Sequence, residues 1–130
     1  MKYIAFCDGG SRGNPGPAAS GFVIKSGEEL ITEEGLFLGI ATNNEAEWTS
    51  LILALEDAKK KNLYPITINM DSLLVVSQIN DKWKVKTPHL LPYYKKAKAL
   101  LTPEVSIIHI RREFNKEADK VVNQTLDQQI

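Results

Sequence analysis

Four acidic residues sit where a fold could bring them together. Asp8 ends an apolar run, Tyr3-Ile-Ala-Phe-Cys, and is followed by Gly9-Gly-Ser-Arg-Gly-Asn-Pro-Gly16. Asp71 ends a second apolar run, Pro65-Ile-Thr-Ile-Asn-Met, and is followed by Ser72. Glu47 and Asp119 lie near the starts of two helical patterns. Each has a plainer reading: the aspartates as turn or cap residues, Glu47 as a first-turn carboxylate facing water and favoured by the helix dipole. Converged on one edge, four carboxylates would repel one another unless cations neutralised them. Hard oxygen donors without a Cys/His set suit Mg²⁺ or Mn²⁺ rather than zinc. Two such ions about 4 Å apart are the usual apparatus for cutting a phosphodiester.

The chain has 130 residues, enough for one domain with a substantial core. Sixteen basic and sixteen acidic residues cancel, so nucleic-acid binding requires the two signs to be segregated in space. They are grouped along the chain: Lys59-Lys60-Lys61, then Lys82, Lys84 and Lys86, then Lys95, Lys96 and Lys98, against Glu28, Glu29, Glu33 and Glu34. Solvated faces would give the same pattern. The single cysteine, Cys7, rules out an internal disulfide and fits a reducing, cytoplasmic setting as a buried small hydrophobe. No apolar run reaches membrane-spanning length, and no leader, repeat or linker is visible.

Elements that could position the acids follow from periodicity. Residues 3–8, 18–25 and 30–38 read as three strands of an antiparallel meander, with glycines 9, 10, 13 and 16 and Pro15 forming a tight turn after the first. Thr42-Asn43-Asn44 offers helix caps, and Ala46, Leu51, Ala54, Leu55 and Ala58 recur at helical spacing to about Lys61. Glu47 shares that inward face. Strand 65–71 precedes a short helix over 73–79, packed by Leu74, Val75 and Ile79. Thr87-Pro88 reads as the cap and first residue of a helix running to about Leu101. Strand 105–110 precedes a last helix capped by Asn115. Alternating strands and helices imply an α/β sheet, whose sites form beyond the C-terminal ends of its strands. Trp83, between Lys82 and Lys84, suits packing on its own domain or stacking beside a phosphate backbone.

Taken together, the motifs resemble type 1 ribonuclease H over nearly the whole chain. Asp8 to Gly16 is similar to the family's opening motif, Thr42-Asn-Asn-Glu-Ala-Glu47 to its Thr-Asn-Asn-x-x-Glu, Asp71-Ser72 to its second Asp-Ser, and Asn115-Lys-Glu-Ala-Asp119 to its Asn-x-x-x-Asp. The resemblance implies a five-stranded mixed sheet of order 3-2-1-4-5 flanked by helices. It implies metal-dependent endonucleolytic cleavage of RNA paired to DNA, leaving 5′-phosphate and 3′-hydroxyl ends. Asp8, Glu47, Asp71 and Asp119 would then hold two Mg²⁺ or Mn²⁺ ions; the motif selects Glu47 over Glu45, which is expected to face solvent. Gly10, Ser11, Asn14, Asn43 and Asn44 would meet the hybrid's minor groove, where ribose 2′-hydroxyls mark the RNA strand. Thr42 would meet a DNA-strand phosphate, and Trp83 and Lys84 would help grip that strand.

The chain departs from the pattern in several places. The loop before the last aspartate is short, Ile110 to Asn115, and resembles the archaeal-like branch, so Arg112 takes the auxiliary role. His109, inside an apolar strand, is expected to be structural. Ile40 stands where many members carry the arginine of a DNA-phosphate pocket, Leu73 stands where many carry glutamine, and the basic protrusion of some bacterial members is missing. A monomer is expected, with no membrane partner. Double-stranded RNA is a second candidate substrate, as for short-loop relatives. An integrase- or resolvase-like DNA nuclease and a non-catalytic binding module remain the rival readings.

Overall fold

The computed structural model describes residues 2–129. Strands β1 (Tyr3–Ser11), β2 (Gly16–Ser26) and β3 (Glu29–Ala41) form an antiparallel meander, and helix α1 (Asn43–Lys61) crosses from it to β4 (Ile66–Met70). Helix α2 (Leu73–Ile79), a 3-10 turn over Pro88–Leu90 and helix α3 (Leu91–Leu100) lead to β5 (Val105–His109); a second turn, Arg112–Phe114, leads to α4 (Lys116–Asp127). The strands make one five-stranded sheet of order β3-β2-β1-β4-β5, with β4 parallel to both β1 and β5, as the sequence predicts. Among the described residues no helix is long and apolar enough to cross a membrane.

The helices sandwich the sheet, and two consecutive glycines show how closely. Neighbouring residues of a strand face opposite sides. A side chain on Gly9 would meet the backbone of α1, with Ala46 C only 2.2 Å from an added Cβ; one on Gly10 would point at Val122 of α4 on the other face. The main core lies on the α1 side, where Trp48, Phe22, Ile24, Leu51, Leu55 and Ile68 are almost fully buried. Trp48 and Tyr94 meet edge to face, ring centroids 6.3 Å apart, fixing α3 against α1. A smaller cluster of Ala19, Val122 and Leu126 seats α4.

Local chemistry sets the start of α1. The Thr42 hydroxyl accepts from Glu45 N (3.1 Å), while the Glu45 carboxylate accepts from Thr42 N (2.9 Å), a reciprocal capping box. Three lysines in the last turn complement the helix dipole. Buried Ser20 of β2 donates to the Ala46 carbonyl at 2.6 Å and ties the first turn to the sheet.

Several sequence expectations need correcting. Gly9 and Gly10 are not turn residues: β1 continues to Ser11, in register with residues 18–20 of β2, and the turn is confined to residues 12–15. β3 is longer than its apolar stretch, since β2 offers partners from Ser26 back to Gly16 and two register shifts absorb the mismatch. Thr87 makes no side-chain cap, and the expected long helix begins as a 3-10 turn; Pro92, lacking an N–H, falls in the first turn of α3. Glu45 is half-buried by its part in the capping box, not turned to solvent. His109 is exposed on the edge strand β5 rather than enclosed.

The contact between α1 and bare Gly9 makes Gly9→Ala the most damaging small substitution in this region. It should destabilise the fold by about 2–3 kcal/mol in urea unfolding, because backbone rather than a flexible side chain must move. Gly27→Ala, with nothing near its added methyl, is the control that also carries a positive φ (+61°) and should cost less, about 1 kcal/mol.

Candidate metal-binding and nucleic-acid cleft

Register places the first two acids. The last parallel pair between β1 and β4 is Cys7 with Met70, so Asp8 and Asp71 are each the next residue out, side by side at the C-terminal edge. The first turn of α1, resting on Gly9, brings Glu47 in from above. One ligand oxygen from each of Asp8, Glu47 and Asp71 lies within 4.8 Å of the others. Asp119, in the first turn of α4, lines the same cleft from the opposite wall but lies outside this compact group and is exposed. The cleft holds about 400 Å³, and Arg112 also lines it.

Backbone and side-chain donors hold the carboxylates. Gly9 N–H donates both to Asp8 Oδ1 (2.9 Å) and to Glu47 Oε1 (2.6 Å). Asn115 stands at the N-cap position of α4, yet its side chain makes no cap there. Instead it is fully buried, and its Nδ2 donates to the Cys7 carbonyl (2.8 Å) and to Asp71 Oδ2 (3.2 Å). This one amide joins the ends of β1 and β4 to the start of α4. Nothing in the sequence separates such a clamp from an ordinary cap. The only signal was that Asn115 precedes Asp119 by one helical turn. Ser72, rather than Asp71, caps α2, accepting from Val75 N at 3.3 Å, which leaves the Asp71 carboxylate free for the cleft.

Burial makes this group electrostatically costly. Asp8 and Glu47 are each only 8% exposed. Desolvation, then the charges of Asp71 and Asp119, push the Asp8 carboxyl up to about 7, although the Gly9 amide opposes the shift. Glu47 is also pushed up, first by desolvation and then by Asp8 and Asp71. Both carboxyls are therefore raised together, and the pair resists carrying two charges at once. Cys7 is buried as expected, and burial followed by the charges of Glu47 and Asp8 keeps its thiol protonated. A divalent cation would remove the repulsion, and the three-carboxylate oxygen set fits Mg²⁺-like chemistry.

The remaining sequence-predicted residues divide between two places. Gly10, Ser11, Asn43 and Asn44 line the acid cleft. Ser11 N–H donates to Asn43 Oδ1 (2.7 Å) and Asn43 N–H donates to Asn14 Oδ1 (3.1 Å), so the β1–β2 turn and the start of α1 form one hydrogen-bonded rim. Thr42 lies at that rim with its hydroxyl engaged in the capping box. Trp83 and Lys84 are not brought to the acids. They line a separate groove with Lys86, Leu74 and Gln78, and Trp83 remains 48% exposed. Ile40 is 72% exposed at the end of β3. Arg12 and Asn123 also face the acid cleft, and the sequence singled out neither.

Residues 6–125 match the family described as reverse transcriptase-like. Over 98% of its length the chain is 40% identical to the bifunctional protein Rv2228c of Mycobacterium tuberculosis, of which it spans 36%. It therefore corresponds to about a third of that relative's length. The structure superposes on RNase H1 from the halophilic archaeon Halobacterium salinarum with a TM-score of 0.92 at 40% identity, covering 98% of this chain and 99% of the other. It matches LC11-RNase H1, solved in complex with an RNA/DNA hybrid, with a TM-score of 0.91 at 37% identity and 97% coverage of each. With the sheet order, the acidic cluster and near-complete coverage in agreement, the chain belongs to the ribonuclease H1 family.

Proposed function

We propose that the cleft is a metal-dependent endonuclease site that cuts the RNA strand of an RNA/DNA hybrid. The observation that carries this reading is the trio Asp8, Glu47 and Asp71, two of them buried, with one oxygen of each within 4.8 Å of the others. So much buried negative charge without a basic partner is destabilising on its own and useful with a cation. Similarity to a relative solved with an RNA/DNA hybrid supports the substrate class.

Asp8, Glu47 and Asp71 would hold the divalent ions, Mg²⁺ or Mn²⁺, with Asp119 completing the set from the α4 wall. Bound there, such ions would supply Lewis-acid stabilisation of phosphate charge and a water of lowered pKa. The chain's own residues do the rest. The Gly9 amide and the Asn115 amide fix the carboxylate orientations before substrate arrives. Gly10, Ser11, Asn14, Asn43 and Asn44 seat the minor groove and its 2′-hydroxyls, which selects RNA for the cut strand. Thr42, at the same rim, meets a DNA-strand phosphate; Trp83 and Lys84, in their separate groove, grip the DNA strand farther along. Asp119, open to solvent, orients the attacking water, and Arg112 assists departure of the product phosphate. Hydrolysis breaks the P–O3′ bond. The water oxygen stays on the 5′-phosphate, and the 3′ oxygen leaves protonated as a hydroxyl. The reaction is assigned to a monomer in the cytoplasm, a reducing setting that suits the single buried thiol of Cys7.

One end-labelled RNA strand, paired to DNA, paired to RNA, or alone, tests this with Mg²⁺, Mn²⁺ and EDTA. Internal cuts in the hybrid with metal and none with EDTA are expected; binding without cutting under any metal would overturn the reading. Asp71→Asn should lower kcat by more than about 100-fold, beyond the loss typical of residues that only support a ligand, with the melting temperature retained. Turnover persisting at saturating Mg²⁺ would contradict the role of Asp71.

A second prediction concerns the metal-free protein. The folded pKa of Asp8, about 7, exceeds its ordinary value of 3.8. Its contribution to stability is therefore complete below the ordinary value and is lost as pH rises through 7. Metal-free protein should lose about 2–4 kcal/mol between those limits, with Glu47 acting in the same direction. Asp8→Asn should be more stable than the parent chain at pH 8 and show a flatter profile. Identical pH profiles of thermal melting for the two proteins would rule this out.

A further inference from the structure

Arg12 projects from the β1–β2 turn into the wall of the acid cleft. Only it and Arg112 are cationic among the residues lining that cleft, where four carboxylates face an incoming polyanion. Its backbone is fixed independently of its side chain. Arg12 N–H donates to the Pro17 carbonyl at 2.8 Å, and Ser11 and Asn14 on either side are bonded to Asn43. Gly16 lies so close beneath that an added Cβ would stand 2.3 Å from the Arg12 carbonyl oxygen.

The guanidinium is oriented by the end of α4. Nη2 donates to Asp127 Oδ1 at 2.7 Å and reaches the Asn123 carbonyl at 3.5 Å. Both contacts use the same nitrogen, so the Nε–H and Nη1–H donors remain for phosphate oxygens. Asp127 is the last residue of α4, the end of a helix where a carboxylate is electrostatically disfavoured. A cation beside it offsets that. As a mere staple the pair would add little: its side chains are 47% and 63% exposed, and the turn is already held by the bonds above.

We propose that Arg12 is a phosphate-binding residue of the cleft, held in place by Asp127, that takes a backbone phosphate of the strand being cut. The proposal rests on the nuclease reading above and adds a residue to its substrate grip. Its ligand is the phosphodiester itself, so the contact is independent of base sequence.

Hybrid binding measured in an Asp71→Asn background, from low to physiological salt, separates this from a structural role. Arg12→Ala should raise Kd by about 5- to 10-fold at low salt and flatten the slope of log Kd against log salt by about one phosphate's worth. Melting should shift by no more than about 2 °C, as for an exposed ion pair. Arg12→Lys should restore the salt slope and only part of the affinity, since an ammonium keeps the charge but cannot hold Asp127 and reach a phosphate with separate planar donors. Asp127→Asn should weaken binding in the parent chain and have no further effect in Arg12→Ala. An Arg12→Ala protein with unchanged Kd and salt slope would overturn the assignment while hybrid cleavage by the parent chain stood. An Asp127→Asn effect persisting in full without Arg12 would overturn the positioning role. A parent chain that neither bound nor cut the hybrid would overturn the nuclease reading and this assignment together.

Discussion

A single backbone amide shared by two carboxylates is the constraint on which the rest of the site depends. Gly9 N–H serves both Asp8 and Glu47, which is possible only because the first turn of α1 rests directly on a residue without a side chain. The sheet must therefore present a bare position at that point. The helix must start there, which the Thr42–Glu45 capping box enforces, and Ser20 must anchor Ala46. Parallel pairing of β1 with β4 supplies the third acid in register, and Asn115 locks that register from behind. The acids thus come from elements remote in sequence but adjacent at one edge, as expected where parallel strands end.

This arrangement trades stability for function. Desolvation and mutual repulsion raise the pKa values of Asp8 and Glu47, so without a cation the cluster would resist full ionisation near neutral pH. The main core under α1, with Trp48, Leu51 and Ile68 buried, gives the scaffold enough apolar burial to tolerate that strain. The exposed wall carries the opposite features: Asp119, Arg112 and Arg12 all reach solvent, as their proposed contacts with a large, solvated substrate require.

Much of this was legible in sequence, for identifiable reasons. Two apolar runs that each end on Asp marked where the parallel pairing of β1 and β4 stops, and helical spacing of Leu51, Ala54 and Leu55 gave the inward direction of Glu47. The sheet order 3-2-1-4-5 came from the family resemblance those motifs carry, not from periodicity. What was not legible depends on contacts between distant segments. Gly9 read as a turn glycine because its need for bareness comes from α1. Asn115 read as a cap because its partners, Cys7 and Asp71, are remote in sequence. Trp83 and Lys84 read as packing on their own domain or gripping a nucleic-acid strand, and periodicity could not show that the 80–87 segment sets them in a groove apart from the acids. His109 read as structural because it sits in an apolar run, yet on β5 it is exposed, since an edge strand's apolar residues need not enclose their neighbours.

The claim beneath all of this is that the buried carboxylates are assembled for a divalent cation. Its most direct test is a carboxyl-carbon NMR titration of the metal-free protein and of the same sample with Mg²⁺. The Asp8 resonance should titrate with a midpoint near 7 without metal and move well below that when Mg²⁺ is added, with Glu47 and Asp71 perturbed together. An Asp8 midpoint in the ordinary carboxylate range, unchanged by Mg²⁺, would contradict the account.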